Sequence, residues 1–292
     1  MFTALLMTSP DRPHLTTAAL TDLGWTMGPP RWLAQGVAIE ADLAAVPDDL
    51  WDRWAQGQEA GFDLCLVPQT GRKKRLLLAD MDSTMIRQEC IDELADEAGV
   101  GAHVADITAR AMNGELDFNA ALRERVGLLK GLPVAAIDKV MAERIVPMPG
   151  GATLIATMKA GGARAALVSG GFTDFTQRVG AVLGFDENRA NVLLAEDGHL
   201  TGHVAEPILG REAKVTALEE ISASMGIAEA DVIAVGDGAN DLGMLGRAGM
   251  GVALHAKPAV AAQCQLRVHH GDLTALLYLQ GYRAEDFVQP RP

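Results

Sequence analysis

Two aspartates separated by one residue, Asp80 and Asp82, directly follow a short apolar run that starts at Leu76. A run of this length predicts a buried parallel strand, although periodicity alone also allows a helix segment. Ligands of open α/β sheets bind at the carboxyl ends of the strands, so this pair is a candidate for catalysis. The alternative for the pair taken alone is structural, because Asp frequently caps turns and helices.

A second apolar run, at 166–168, leads into Ser169 and Gly170 before a predicted helix. A hydroxyl group and main-chain N–H groups at the beginning of a helix form a site for an anion, and a simple cap at Ser169 is the equal alternative. Lys214 lies near the start of another predicted helix. A cation there opposes the helix dipole and needs a compensating anion, whereas a lone Lys is usually a solvated surface residue.

A third apolar run, at 232–235, ends in a stretch that contains Asp237, Asn240 and Asp241. The glycines around Asp237 let the backbone approach a metal or a phosphate, and an ordinary Gly-Asp-Gly turn is the alternative. Clustered carboxylates about 4 Å apart repel by roughly 4 kcal/mol per pair at an effective dielectric constant near 20, which Lys214 alone does not offset. Because the candidate donors are all oxygens, the sequence predicts Mg²⁺ rather than zinc.

Helical patterns without intervening strands follow the first aspartate pair. The predicted helices cover 87–98, 104–112, 117–129 and 133–144, and Asn113 and Gly114 close the second of them. We expect this segment to form a cap that excludes water from the strand ends. From residue 151 onward predicted helices alternate with short strands, and 191–195 and 200–204 predict a hairpin. The expected fold is α/β, with a doubly wound, Rossmann-like parallel sheet and right-handed crossovers.

The first 70 residues differ from the rest and contain all four tryptophans. Their patterns predict the order β-α-β-β-α-β, with the second strand near Trp25, which is a ferredoxin-like α+β module. We therefore predict an N-terminal module at 1–70 and a second domain at 71–292, with the helical cap inserted at about 88–147.

The motifs Asp-x-Asp-x-Thr, Ser-Gly-Gly, Lys and Gly-Asp-Gly-x-Asn-Asp occur in the order typical of the haloacid dehalogenase-like phosphohydrolases. Within that superfamily, residues from about 73 to the C-terminus resemble the phosphoserine phosphatases through Leu-Asp-Phe-x-x-x-Leu-Arg-x-Arg-Val and Val-Ser-Gly-Gly-Phe. The resemblance implies Mg²⁺-dependent hydrolysis of phosphoserine to serine and phosphate through an aspartyl-phosphate, the last step of serine biosynthesis.

The resemblance also implies a role for each candidate residue. Asp80 is the implied nucleophile and Asp82 the general acid and base. The implied ligands of Mg²⁺ are Asp80, the main-chain carbonyl of Asp82, and Asp237, with Asp241 in support. The groups that would hold the phosphoryl oxygens are Ser169, Gly170, Lys214 and Asn240.

Recognition of an amino acid needs groups for its two charges. The resemblance assigns the substrate ammonium to Glu89, the substrate carboxylate to Arg123 and an apolar wall to Met112 and Phe118. The structural alternatives are a solvated helix face for Arg123 and cap core for Met112 and Phe118.

The N-terminal module resembles the ACT-type regulatory domains, which often bind amino acids, in its element order and in its 9–13 loop. A packing or dimerisation module without a ligand is the alternative, and a homodimer through this module is predicted.

The formal net charge is -13, which disfavours nucleic-acid partners because phosphate-backbone binding depends on clustered Lys and Arg. The sequence predicts no membrane segment and no signal peptide. Its three cysteines are widely spaced and predict neither a disulfide framework nor a zinc site, so we expect a reduced, cytoplasmic location.

Three other functions stay open. One is a phosphatase or phosphotransferase for another small phosphorylated metabolite. A second is a signalling receiver module, which also uses an Asp, Mg²⁺, a hydroxyl and a Lys but has no helical cap. A third is an amino-acid sensor or scaffold acting through the N-terminal module, which would add to catalysis without replacing it.

Overall fold

The N-terminal unit is a four-stranded antiparallel sheet with two helices. In the computed structural model, which describes residues 1–113 and 115–290, its elements are β1 (Phe2–Met7), α1 (Thr17–Thr21), β2 (Arg31–Ala34), β3 (Ala38–Leu43), α2 (Leu50–Ala60) and β4 (Asp63–Pro68). The strand order is β2-β3-β1-β4, which is the ferredoxin-like arrangement. Gly114, predicted with Asn113 to end a cap helix, and Arg291 and Pro292, at the end of the second domain, lie outside the described residues.

The second strand does not lie near Trp25, as the sequence pattern suggested. Only Met27 makes an isolated bridge there, to Leu43, and the strand itself begins at Arg31. The reason lies in Pro29 and Pro30, which have no N–H groups and cannot donate to a sheet ladder.

The helical cap follows β5 (Leu76–Ala79) and consists of α3 (Cys90–Glu97), α4 (Gly101–Met112), α5 (Phe118–Leu128) and α6 (Ala135–Glu143). Each observed bound lies within three residues of its predicted position. The segments that enter and leave the cap run antiparallel, since the Arg87 N–H donates to the Val146 carbonyl at 3.0 Å and the Met148 N–H to the Met85 carbonyl at 2.8 Å. A paired, two-stranded connection of this kind joins the cap to the sheet.

The main domain continues with helices and strands in alternation. Its elements are α7 (Gly151–Ala160), β6 (Arg164–Phe172), α8 (Thr173–Leu183), β7 (Glu187–Asn191), β8 (Leu193–Glu196), β9 (His199–Val204), α9 (Arg211–Met225), β10 (Val232–Gly236), α10 (Leu242–Arg247), β11 (Met250–Leu254), α11 (Pro258–Ala261), β12 (Leu266–Val268) and α12 (Ala275–Leu279), with 3₁₀ helices at Glu229–Asp231, Ala239–Asp241 and Ala284–Asp286. The six-stranded sheet has the order β12-β11-β10-β5-β6-β7, and its paired neighbours are parallel. The predicted doubly wound α/β fold is confirmed.

The predicted hairpin lies within two residues of its expected bounds, but the strand before it was not predicted. Asn191 ends β7, which pairs with β6 in the large sheet, and the hairpin consists of β8 and β9. The hairpin contacts the cap, because the Gly131 N–H donates to the Leu200 carbonyl at 2.8 Å and the Val134 N–H to the Gly198 carbonyl at 2.9 Å. The predicted strand at 191–195 includes Asn191 from the end of β7, and the rest of β7 was not predicted.

Alternation along the central strands explains why the large sheet is buried on both faces. Leu77 packs with α7, α8 and α12, whereas its neighbours Leu76 and Leu78 pack on the opposite face with α9, α10 and α11. Successive side chains of a strand point to opposite faces, so a doubly covered sheet requires an apolar residue at every position. This arrangement leaves the carboxyl ends of the strands as the polar edge.

The N-terminal sheet docks on the main domain through buried polar contacts. The Asp63 carboxylate, fully buried, accepts the main-chain N–H groups of His269, His270 and Gly271 at 2.8–2.9 Å. Arg72 pairs with Glu40 at 2.8 Å. Among the described residues, no helix has the length and apolar character needed to cross a membrane.

Candidate active site

Three adjacent strands carry the predicted site residues to one edge of the sheet. Asp80 and Asp82 follow β5, Ser169 lies near the end of β6, and Asp237 follows β10. Because β10, β5 and β6 are neighbours and parallel, their carboxyl ends coincide. The four side chains are all buried. Stretches separated by up to about 150 residues in the sequence therefore meet in one place.

Lys214 is the positive centre of this edge. Its side chain is fully buried, and its Nζ lies 2.7 Å from Asp80 Oδ1 and 2.6 Å from Asp241 Oδ1. Burial alone would lower the pKa of Lys214, but Asp241 and Asp80 together raise it. The lysine is therefore charged, and the surface role considered for it is wrong.

The carboxylates outnumber the lysine. One oxygen each of Asp80, Asp237 and Asp241 lie within 4.8 Å of one another. Burial and the charge of Asp241 raise the pKa of Asp80 well above its usual range, and the same two causes raise the pKa of Asp237 to about 7. Within the described residues, the buried Oδ2 of Asp237 has no hydrogen-bond partner.

A cation fits this excess of acidic oxygens. Asp237 Oδ1 accepts a hydrogen bond from the Thr84 hydroxyl at 3.3 Å, and Lys257 Nζ approaches Oδ2 only to 3.9 Å. The site thus offers an orphaned carboxylate oxygen inside an all-oxygen donor set, as hard divalent cations require. Sequence reasoning did not single out Thr84 or Lys257. Thr84 belongs to the Asp-x-Asp-x-Thr motif, which is a signal for it.

Asp82 faces away from the acidic cluster, toward the cap. Its Oδ1 accepts the Cys90 N–H at 2.9 Å, and the Ser169 hydroxyl donates to its Oδ2 at 3.3 Å. Burial raises the pKa of Asp82 against the opposing effect of Cys90. A carboxyl whose pKa is raised in this way can carry and deliver a proton.

The turn at Ser169 and Gly170, called the anion turn below, differs in one respect from the sequence prediction. Strand β6 continues to Phe172, which is the N-cap residue of α8, so the helix-cap alternative for Ser169 is wrong. Instead the Ser169 Oγ accepts the Gly171 N–H at 2.9 Å while it donates to Asp82. The hydroxyl is therefore fixed at the site edge.

Asp241 organises the loop after β10. Its Oδ2 accepts the main-chain N–H groups of Asp237 and Gly238 at 3.2 and 3.0 Å. A Cβ atom at Gly236 would lie 2.3 Å from the Asp241 carboxyl carbon, so only glycine fits there. The predicted supporting position of Asp241 corresponds to these contacts.

A cavity lies between this edge and the cap. The predicted site residues that line it are Asp80, Asp82, Glu89, Met112, Phe118, Gly170 and Asn240, and Arg125 lines it as well. Its volume is about 20 Å³, which holds roughly one water molecule. The cavity is therefore nearly closed in this conformation of the cap.

The structure does not place Arg123 in this cavity. Arg123 is exposed and pairs with Glu206 at 2.7 Å, whereas Arg125 is only 2% exposed. Arg125 donates to the Thr108 hydroxyl at 3.0 Å and to the Ala121 carbonyl at 3.2 Å. Two residues along a helix point to nearly opposite sides, so the two arginines cannot share a role.

The cavity has one acidic and one basic side chain, Glu89 and Arg125, in addition to the aspartates. Glu89 Oε1 accepts the Ser83 hydroxyl at 2.7 Å, and burial together with the charge of Asp82 raises the pKa of Glu89 well above its usual range. Burial lowers the pKa of Arg125, while Glu89 and Asp92 oppose that effect. A ligand with an ammonium and a carboxylate matches this pair.

Known proteins share this architecture. The sequence profile of the haloacid dehalogenase-like hydrolases matches residues 77–246, more than half of the chain and the whole stretch that contributes the aspartates and the lysine. The chain belongs to this family.

More specific likenesses lie within the family. A phosphoserine phosphatase from Polaromonas sp. is 47% identical over 210 residues, which cover 70% of this chain and 89% of that protein. A substrate-bound phosphoserine phosphatase structure superposes with a TM-score of 0.68 and 42% identity, over 70% of this chain and 98% of that one. A HAD family hydrolase from Salmonella enterica serovar Typhi superposes with a TM-score of 0.84 and 31% identity, over 96% and 98% of the two chains.

The matches differ in how much of this chain they cover. The Salmonella structure covers 96% of this chain and therefore includes most of the N-terminal unit, whereas the two phosphoserine phosphatases each match 70% of the whole chain.

Proposed function

We infer that this protein is a phosphoserine phosphatase, which hydrolyses O-phospho-L-serine to L-serine and inorganic phosphate. The observation that carries this inference is the single cavity in which Asp80 and Asp82 face Glu89 and Arg125. One side of the cavity has the groups for phosphoryl transfer, and the other has a charge of each sign for an amino acid. The two phosphoserine phosphatases named above support the same substrate.

The first half-reaction transfers the phosphoryl group to the protein. A carboxylate oxygen of Asp80 attacks phosphorus, the bond between phosphorus and the seryl oxygen breaks, and Asp82 gives that oxygen a proton. The products of this step are L-serine and an aspartyl-phosphate at Asp80. Lys214, which forms an ion pair with Asp80, would stabilise the negative charge of the transferring oxygens. The Ser169–Gly170 turn would do the same, with Asn240 beside them.

The second half-reaction restores the enzyme. Asp82, now ionised, removes a proton from a water molecule, whose oxygen attacks phosphorus and displaces the carboxylate of Asp80. Inorganic phosphate leaves, and Asp82 is again protonated. Its raised pKa and its contacts with Cys90 and Ser169 fit a group that exchanges one proton twice per cycle.

Recognition of serine rests on Arg125 in place of Arg123. We propose that the buried guanidinium of Arg125 binds the substrate carboxylate and that Glu89 binds the ammonium, because both line the cavity. Met112 and Phe118 line it too, and we propose that they form the apolar wall and close it against water.

The cation is proposed to be Mg²⁺, held by Asp80, Asp237 and the main-chain carbonyl of Asp82. The all-oxygen donor set and the orphaned Oδ2 of Asp237 support this choice. When bound, the cation supplies positive charge that offsets the carboxylates and the phosphoryl oxygens. The cytoplasmic location, the absence of nucleic-acid and membrane partners, and a homodimer through an ACT-like N-terminal domain at 1–70 stay predictions.

A substrate panel tests the proposal. With Mg²⁺ present, kcat/KM is measured for O-phospho-L-serine, O-phosphoethanolamine and glucose 6-phosphate. Phosphoethanolamine lacks the carboxylate and glucose 6-phosphate lacks both charges. Each charged hydrogen bond contributes about 1.5–3 kcal/mol, so we expect a loss of about tenfold or more for the first analogue and about a hundredfold or more for the second.

Two outcomes would change the assignment. Equal or higher kcat/KM for glucose 6-phosphate would favour the runner-up, a phosphatase for another small metabolite. A stable phosphorylated Asp80 without turnover of any compound would favour a signalling role.

A further inference from the structure

Asn191 lies next to the segments that form the phosphate side of the site. The sequence analysis assigned it no role. It ends β7 and is 3% exposed. Its Nδ2 donates to the carbonyl oxygens of Gly170 and Leu209 at 2.8 and 3.1 Å, and its Oδ1 accepts the Leu209 N–H at 2.7 Å. Both hydrogens of the amide and its oxygen are used, so the side chain is fully committed to main-chain contacts.

The two segments that Asn191 joins come from different parts of the chain. Gly170 belongs to the turn that presents the Ser169 hydroxyl, which donates to Asp82. Leu209 immediately precedes Gly210, the N-cap residue of α9, and α9 carries Lys214 in its first turn. The amide of Asn191 therefore bridges the anion turn and the helix that brings the buried lysine to Asp80.

The cap also depends on the spacing of these two segments. A Cβ atom at Gly170 would lie 2.7 Å from the Phe118 ring, and one at Gly210 would lie 3.1 Å from the same ring. The ring thus packs between the two glycines, at the start of α5. A shift of either glycine would displace both the phosphate contacts and this cap residue.

We propose that Asn191 is a positioning residue for the reaction. It holds the Gly170 main chain and the start of α9 at a fixed separation, so that the anion turn and Lys214 act on the same phosphoryl group. This role rests on the proposed phosphatase function, but it concerns the phosphate site and not the recognition of serine. Asn191 itself touches neither the substrate nor the reacting atoms.

The test compares Asn191→Asp with Asn188→Asp. The first change keeps the shape and the acceptor for the Leu209 N–H, but it replaces the donor with an oxygen that faces two carbonyl oxygens. The control lies on the same strand, where Asn188 Oδ1 accepts the Thr176 hydroxyl at 2.9 Å, a contact that an aspartate retains. The measurements are KM for phosphoserine, the dissociation constants of orthovanadate and L-serine, and kcat. The value of kcat is calculated per folded molecule.

Orthovanadate mimics the transferring phosphoryl group, so its binding reports the geometry of the phosphate site. For Asn191→Asp we expect kcat to fall by roughly tenfold to hundredfold, less than the ~10²–10³ lost when an oxyanion-hole donor itself is removed. The vanadate dissociation constant should rise by a similar factor, while that of L-serine stays within about twofold. Asn188→Asp should leave all four constants near their wild-type values.

Two results would overturn the proposal. One is an Asn191→Asp protein whose kcat and vanadate affinity equal those of Asn188→Asp. The other is a loss of folded protein with unchanged constants per folded molecule, which would make the residue purely structural. If Asn191→Asp does not fold, Asn191→Ser removes the amide without adding charge, and the same split is expected. A wild type that fails to hydrolyse phosphoserine would contradict the proposed function, and the vanadate comparison would still decide the role of Asn191.

Discussion

Buried carboxylates occur in two regions of this molecule, and the two regions differ in how completely these carboxylates are paired. At the junction of the N-terminal sheet with the main domain, Asp63 accepts three main-chain N–H groups and Glu40 pairs with Arg72. At the carboxyl edge of the large sheet, Asp80 and Asp241 share Lys214. Among the described residues, Oδ2 of Asp237 has no hydrogen-bond partner, and Lys257 Nζ approaches it only to 3.9 Å.

The difference separates structure from function. A buried charge is tolerated in a structural role when its hydrogen bonds are complete, as they are at Asp63. A group of buried charges left short of partners destabilises the fold unless a ligand completes it, and such groups concentrate at functional sites. The incomplete set at the sheet edge is therefore the one that we propose binds a cation and a phosphoryl group.

The largest effect is expected from Asp80→Asn. Loss of the nucleophile should lower kcat for phosphoserine by at least about 10⁴-fold, in the range seen when a covalent nucleophile is removed. The free energy of unfolding should change little, because Lys214 keeps its ion pair with Asp241. Phosphate release and urea unfolding measure the two effects, and turnover within tenfold of wild type would exclude Asp80 as the nucleophile.

A smaller effect is expected from Arg125→Ala, which sharpens the comparison within the cap. Removal of a buried guanidinium that binds the substrate carboxylate should lower kcat/KM for phosphoserine by about tenfold to a hundredfold. It should have little effect on phosphoethanolamine, which has no carboxylate.

Arg123→Ala is the matched control for this prediction. Arg123 does not line the cavity, and its exposed ion pair with Glu206 contributes at most about 1 kcal/mol to stability, so kcat/KM should stay within about threefold of wild type. The reverse ranking of the two arginine variants would restore the original assignment of the carboxylate to Arg123.

The smallest effect on activity is expected from Asp63→Asn. The amide group of the new side chain cannot accept all of the N–H groups of His269, His270 and Gly271, so one buried donor loses its partner, at a cost of about 1–3 kcal/mol. Urea unfolding should show that loss, while kcat per folded molecule stays within about twofold. A variant with normal stability and impaired turnover would erase the distinction between the two regions.

The sequence predicted the part of the site that depends on strand ends. In the sequence, Asp80, Ser169 and Asp237 each follow a short apolar run, and the rule that parallel strands share their carboxyl edge predicted that they meet. Lys214 was predicted from its motif, and its burial was not, because the partners that keep it charged come from other segments.

The sequence was less informative about which face of a helix points into the site and about contacts made between distant segments. Arg123 and Arg125 both match the cap motif, and only the burial of Ala121, Leu122 and Val126 identifies the inward face, which includes Arg125. That apolar spacing was a usable signal. Asn191 offered none, because its role depends on contacts with Gly170 and Leu209 that only the tertiary fold creates.

Chemical trapping at Asp80 tests the central claim most directly. The protein is mixed with O-phospho-L-serine and Mg²⁺, quenched during turnover and reduced with borohydride, which converts an aspartyl-phosphate into homoserine. Mass spectrometry should find homoserine at position 80 only when both substrate and cation are present. Continued phosphate release with no homoserine at position 80, or with homoserine at another aspartate, would contradict the account.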